Sequence, residues 1–582
     1  MIKKITGCLA SGLLTLCAGQ ALATDTSEEI APESGTLRTE QSLVKTRKFM
    51  IAAANPHAVA AGNRILEKGG SAVDAMIAAQ LVLTLVEPQS SGIGGGAFVV
   101  YYDNKQQQLT TFDGRETAPL AATETLFTDN KGQPLKFYDA VVGGRSVGTP
   151  GVLKLMSQMH QRYGKRPWKE LFQPAIELSN QGFIVSERLA TLVANDQQRL
   201  SRYPETQAYF FPHGQPLKQG DLLKNKALAN TLSLIAEKGV DAFYQGQIGR
   251  DIVAKVRSVE DNPGILSLKD LKQYQVKERP PVCMDYRSYD ICGMGPPSSG
   301  ALTIGQMLGM LSHYDLAKLG PEALESWRLI GGASRLAFAD RGLYMADSDF
   351  VDMPLGLLNK DYLAQRAALL KREDALDKVL AGTPPGSPTI TQAYDQSIEL
   401  PSTTHISIVD DQGNALSMTS SIENGFGSRL MVRGFLLNNQ LTDFSFVAEK
   451  AGKPVANRVE PGKRPRSSMS PTIVMNNDKP YMVIGSPGGS RIIGYVANTL
   501  IAHLDWQMPI NEAIELPHLI NPFGTYQIEQ GTSAVKLAEP LEALGYKVSV
   551  RGLNSGLHGI VMTKEGLEGA ADSRREGTVA GG

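Results

Sequence analysis

The chain has 582 residues, 42% of them hydrophobic and 20% charged, the composition of a globular protein with a substantial core. That length allows about two to four ordinary domains or one large composite. With 58 Lys and Arg against 59 Asp and Glu there is no basic field to attract nucleic acid, so a small molecule or peptide is the expected substrate.

Lys3 and Lys4 precede an apolar stretch from Ile5 to Leu22, and Ala21-Leu22-Ala23 has the small residues of a cleavage signal. Residues 1–23 therefore read as a secretory signal peptide, and the protein is expected to be secreted, in the periplasm or outside the cell. The run is short and Gly-interrupted, and no later segment reaches the ~18 uninterrupted apolar residues of a membrane span, so no membrane association is expected.

His57 to Val86 predicts one or two helices broken at Gly69-Gly70. The Gly-rich run Ser91–Gly96 follows, and Ala97–Tyr102 predicts a strand. Gly92-Ile-Gly94 looks like a dinucleotide fingerprint, but that motif needs a strand before it and a helix after. Here the order is reversed. Gly144-Arg-Ser146-Val-Gly148 matches a nucleophile elbow in letters only, since Gly148-Thr-Pro150 interrupts where the elbow's helix must begin. Lys154 to about Leu370 is mostly helical in pattern. Among the eight His there is no H-E-x-x-H pair, and no Walker A run exists, so neither metal nor nucleotide cofactor is expected.

Loss of the leader removes Cys8 and Cys17 and leaves Cys283 and Cys292. The segment between them alternates like a hairpin about Arg287-Ser288, which sets Cys283 opposite Cys292 at a non-hydrogen-bonded position. In an oxidising compartment this is a possible disulfide. Two free thiols are the alternative, because the turn lacks Gly or Asn.

From Lys371 to Ser402 the composition turns to Gly, Pro and polar residues, an expected exposed and mobile connection. His405–Val409 then predicts a strand, a turn at Asp411–Asn414 follows, and Ala415–Thr419 predicts its partner. Thr403 thus stands at the mouth of a strand behind a flexible segment.

Three segments of the last third carry the chemistry: Ser402-Thr403-Thr404-His405, Lys463–Pro471 and Gly485-Ser-Pro-Gly-Gly-Ser490. With Gly69–Ala75, Gly94–Gly96, Arg115–Pro119, Val147–Gly151, Ala339–Tyr344, Leu436–Gln440 with Asp443, and Gly569–Arg574, they resemble the γ-glutamyltranspeptidase family over nearly the whole mature chain. The resemblance implies an αββα sandwich of the N-terminal-nucleophile hydrolase type. It is built from two products of one precursor, residues 24–402 and 403–582, cut at Ser402-Thr403. Thr403 would then be the nucleophile and its own freed α-amine, of ordinary pKa roughly 7.7–8, the base.

By the same resemblance Gly488 and Gly489 form the oxyanion hole, and Ser421 supplies a second hydroxyl where the family usually has Thr. Arg115, Ser467 and Ser468 grip the substrate α-carboxylate. Gln440 and Asp443 receive its α-ammonium, joined by Glu423 where Asn is usual. Arg115 is expected in a polar pocket rather than a core. The stretch from Phe444 to Arg466 looks short and lacks Tyr, which points to an open site. The implied activity is transfer of the γ-glutamyl group of glutathione and related amides to water or to an amino-acid or dipeptide acceptor. A glutaryl or cephalosporin-type acylase of the same superfamily is the alternative, and a serine hydrolase using Ser146 a weaker one.

Overall fold

The computed structural model describes residues 42–582 apart from Asp377, 388–391, Gln396, Ile398 and Pro401. The expected signal peptide, with Cys8 and Cys17, lies outside the described residues.

Fourteen of the strands build two seven-stranded antiparallel sheets. In chain order they are β1 (Val44–Thr46), β2 (Met50–Ala53), β3 (Gly96–Asp103), β4 (Gln108–Gly114), β5 (Lys277–Arg279), β6 (Val282–Tyr286) and β7 (Tyr289–Gly293). They continue as β8 (Thr404–Val409), β9 (Ala415–Ser421), β10 (Thr472–Asn476), β11 (Lys479–Gly485), β12 (His558–Met562), β13 (Leu567–Ala571) and β14 (Thr578–Gly581). The first sheet runs β14-β2-β8-β9-β3-β4-β5, the second β1-β13-β12-β11-β10-β7-β6.

Period-two alternation sorts the strand side chains into layers. On β2, Ile51 and Ala53 pack on helices, while Met50 and Ala52 meet residues of the second sheet; on β3, Val99 and Tyr101 divide from Val100 and Tyr102 in the same way. Ile473, Val483 and Ile560 complete the layer between the sheets. Outside the first sheet lie α1 (Pro56–Glu67), α2 (Ala72–Val86) and α3 (Val152–Tyr163). Outside the second lie α4 (Gly300–Leu311), α5 (Leu324–Tyr344) and α6 (Ile492–Leu504). The architecture is the αββα sandwich.

Local chemistry places these elements. Ser71 caps α2 in a capping box with Asp74, and every residue of α2 is buried, as its near-continuous apolar sequence requires. The glycines between α2 and β3 serve close packing. A Cβ on Gly94 would sit 2.1 Å from the Leu436 carbonyl oxygen, and one on Gly95 2.2 Å from that of Ser421. Ser146 is buried with its Oγ donating to the Val141 carbonyl at 2.6 Å, and α3 begins only at Val152. No elbow forms.

Cys283 and Cys292 are paired across β6 and β7 and joined as a disulfide, with Cα atoms 4.1 Å apart. Arg287 supplies the left-handed turn residue at φ 62° that a Gly or Asn would ordinarily provide. Tertiary contacts hold it there: Nε donates to Asp505 Oδ1 at 2.8 Å and Nη2 to the Tyr314 carbonyl at 2.9 Å.

The 371–402 connection departs from expectation at its end. Glu399, Leu400 and Ser402 are buried, because the chain there runs through the site rather than over the surface.

Candidate active site

Thr403 directly precedes β8 in the interior of the first sheet. The pairing of Thr404 with Ser420 brings Thr403 opposite Ser421, the last residue of β9. Ser421 Oγ donates to the Ser402 carbonyl at 2.9 Å, accepts from the Glu423 N–H at 2.8 Å and accepts from Thr403 Oγ at 3.4 Å. On the N-terminal side Ser402 Oγ donates to the Gln89 carbonyl at 2.5 Å; on the other, Arg575 Nη1 donates to the Thr403 carbonyl at 3.3 Å. The Ser402-Thr403 peptide is therefore fixed from both sides, with a hydroxyl on its carbonyl oxygen.

The second sheet contributes the turn after β11. Gly488 and Gly489 adopt φ 137° and 57°, where a side chain is strained. A Cβ on Gly489 would also lie 2.7 Å from the Leu400 carbonyl carbon, so this backbone closely approaches the segment before the Ser402-Thr403 bond.

Arg115 leaves the end of β4 and is fully buried, lining the polar pocket expected for it. Its Nε donates to the Pro465 carbonyl at 3.1 Å, and Nη2 donates to the Arg466 carbonyl at 2.8 Å and to Asp443 Oδ2 at 2.5 Å. A guanidinium taken out of water needs such partners, and they fix its direction. Gln440 Nε2 also donates to Asp443 Oδ2, at 2.7 Å. Three polar atoms then have no partner among the described residues: the donor Arg115 Nη1 and the acceptors Asp443 Oδ1 and Gln440 Oε1. They border one pocket together with Glu423, Ser467, Ser468, Thr403, Ser421 and Gly489. An unpaired cationic donor beside unpaired acceptors matches the two ends of an amino-acid zwitterion.

The acids of the pocket are crowded. Burial pushes the Asp443 carboxyl up to about 6, against the pull of Arg115 and with Glu399 adding to the rise. Burial and then the Asp443 charge push Glu423 well above the usual carboxylate range. Glu423 is held at φ 79°, accepting from Asn439 Nδ2 and, at 3.4 Å, from the Leu400 N–H. The carboxyl expected as an ionised acceptor at this position thus has its proton affinity raised. Burial also holds the His405 imidazole well below its usual value and lowers that of His558 to about 4.

The free cavity measures only about 20 Å³, room for about one water, so the site is narrower than the open one expected, with Glu399 and Leu400 among the residues that line it. Sequence reasoning missed four residues here: Arg341, Glu399, Arg466 and Arg575. Arg341 and Arg466 lie inside segments already singled out, Ala339–Tyr344 and Lys463–Pro471. Arg575 directly follows a third, Gly569–Arg574, whereas nothing local marks Glu399.

A profile of the family described as Gamma-glutamyltranspeptidase matches residues 58–582. The glutathione hydrolase proenzyme of Bacillus subtilis strain 168 is 38% identical over 544 residues, 91% of each chain. That of Escherichia coli strain K12 is 35% identical over 546 residues, again 91% of each. The crystal structure of cephalosporin acylase from Bacillus halodurans superposes with a TM-score of 0.81 at 25% identity, over 95% of this chain and 99% of that one.

Proposed function

We propose, from the premise that this chain belongs to the γ-glutamyltranspeptidase family, that it is a glutathione hydrolase and γ-glutamyltransferase that cuts itself at Ser402-Thr403 and then uses Thr403 as nucleophile. The observation that carries this is the hydrogen-bonded run from Thr403 Oγ through Ser421 Oγ to the Ser402 carbonyl, a nucleophile beside a polarised acyl carbon.

In the cut, Thr403 Oγ attacks the Ser402 carbonyl carbon while Ser421 stabilises the developing oxyanion. The acyl group shifts from nitrogen to oxygen, and water hydrolyses the ester. That leaves residues 24–402 and 403–582 as two subunits of one heterodimer, with the Thr403 amine free. The amine next takes the Oγ proton as Oγ attacks a γ-glutamyl amide, and backbone N–H groups of Gly488 and Gly489 receive the oxyanion. The leaving amine takes the proton back, and the γ-glutamyl ester on Thr403 passes to water or to an amino-acid or dipeptide amine. Arg115, Ser467 and Ser468 hold the substrate carboxylate, and Gln440, Asp443 and Glu423 its ammonium. Secretion into the periplasm after loss of residues 1–23 fits the oxidised Cys283–Cys292 pair.

A second reading, an acylase for glutaryl-type amides, has the Bacillus halodurans fold in its favour. The unpaired acceptors Asp443 Oδ1 and Gln440 Oε1 weigh against it, since a glutaryl group has no ammonium to offer them. Purified protein is given glutathione with and without glycylglycine. Release of glutamate and formation of γ-glutamyl-glycylglycine are expected, with Thr403→Ala uncut and inactive. An active single chain, or turnover of glutaryl but not γ-glutamyl anilide, overturns the proposal.

A further inference from the structure

The carboxylate of Glu399 lies at the pocket wall, held as a ligand carboxylate would be. It is bound by Arg341 Nη2 and Ser468 Oγ, and Arg466 Nε lies 3.6 Å away. Burial raises its proton affinity, but the Arg341 and Arg466 charges and the Ser468 hydrogen bond outweigh that and keep it ionised. Ser468 is one of the residues assigned above to the substrate carboxylate. We propose that Glu399 is a resident stand-in for the substrate carboxylate, so that the uncut chain shuts its own pocket and Arg341 passes from Glu399 to substrate once the chain is cut. This rests on the self-cleavage read above and adds Arg341 as a specificity-determining residue.

Arg341 is built to survive the exchange. Its Nε donates to Ser299 Oγ at 2.8 Å, and its Nη2 also donates to Ser468 Oγ at 2.8 Å, so the guanidinium keeps two anchors when Glu399 leaves. Arg466 is likewise fixed by the Arg341 carbonyl at 3.2 Å and by Asp395 at 2.7 Å. Departure of Glu399 leaves the buried Arg341 without its ion-pair partner beside the Ser468 hydroxyl, while Arg466 keeps Asp395. Such a site is refilled by a carboxylate, because an uncompensated buried charge is costly. Glu399 is tied to the cleavage point by only three residues, and while the bond is intact Ser402 is held by Gln89 and Ser421. Cutting releases the C-terminal end of that tether, and the plug gains the freedom of a chain terminus.

The test measures binding of L-glutamate by calorimetry to mature wild type and to three uncut chains: Thr403→Ala alone, with Glu399→Gln and with Glu399→Ala. The expected result is binding to mature wild type, none to Thr403→Ala, and recovery in the Glu399→Ala double variant. The Glu399→Gln variant keeps the shape of the plug without its charge and should recover in part.

In the mature enzyme, Arg341→Lys should raise KM for a γ-glutamyl anilide at least about tenfold, equal to about 1.4 kcal/mol, with kcat nearly unchanged. KM for the 4-aminobutyryl anilide, which lacks the α-carboxylate, should not move. A merely structural role for Arg341 would shift both substrates alike and overturns its assignment. Thr403→Ala binding glutamate as tightly as mature wild type overturns the plug while leaving the γ-glutamyl activity standing. Mature wild type that ignores glutamate and γ-glutamyl anilide alike overturns both. Should Arg341→Lys not accumulate as folded protein, the Glu399 variants decide alone.

Discussion

Ser421 is the residue on which the proposed self-cleavage turns. Among the described residues its hydroxyl is the one group seen on the Ser402 carbonyl oxygen, and removal of a single oxyanion donor costs about 10²–10³ in rate. Ser421→Ala should therefore slow self-cleavage by about that factor, followed as the uncut fraction by intact mass over time, while Ser421→Thr should keep most of the rate. Equal rates for Ala and wild type would remove Ser421 from the cleavage step. Glu116, next to Arg115, tests the interior in another way. It is fully buried, neither carboxyl oxygen has a partner among the described residues, and burial pushes its pKa up to about 8 from 4.5. The folded state then binds a proton that the unfolded state has lost, so stability is full below about pH 4.5 and falls as pH rises through about 8. In the uncut Thr403→Ala background, Glu116→Gln should reduce the loss of stability between pH 5 and pH 8 by about 1–3 kcal/mol, read from urea midpoints. An unchanged pH dependence would mean that Glu116 is ionised and solvated.

At the scale of elements, the β6–β7 hairpin shows a local rule overridden by distant contacts. A two-residue turn asks for positive φ, which Arg287 adopts because Asp505, Ser312 and Tyr314 receive its guanidinium. Both Arg287→Ala and Arg287→Gly lose those contacts, but only Gly also relieves the backbone. Arg287→Gly should thus be the more stable of the two by about 0.5–1 kcal/mol in urea unfolding, and the reverse order would show that the contacts alone set the turn. The Gly-rich run before β3 makes the complementary point. Its letters fit a phosphate loop, whereas its neighbours, a helix before and a strand after, exclude one. The order of elements was readable in the sequence, and the reason for the glycines, close approach to Ser421 and Leu436, was not.

For the whole molecule, the decisive fact is how the proposed subunits share the sheets. In the first, β2 from before the cut lies between β14 and β8 from after it; in the second, β1 and the β6–β7 hairpin flank a block of four strands from after it. Neither product can bury its strand edges alone. The two cleaved chains should co-elute as one particle in size-exclusion chromatography and separate only in denaturant. Separation under native conditions would contradict this strand order. Resemblance to the family named most of the residues that line the pocket, and the sequence by itself determined the alternation of helices and strands and the position of Thr403 before a strand. Those signals are periodic or contiguous, and they survive reading along the chain. Only the tertiary structure decided that Arg115 is buried, that burial beside Asp443 raises the proton affinity of Glu423, and that Glu399 meets Arg341 and Ser468 at the pocket. Arg115 and Asp443 are 328 positions apart and Arg341 and Glu399 58. Burial and charge at such pairs depend on which strands lie side by side, and no local pattern encodes that.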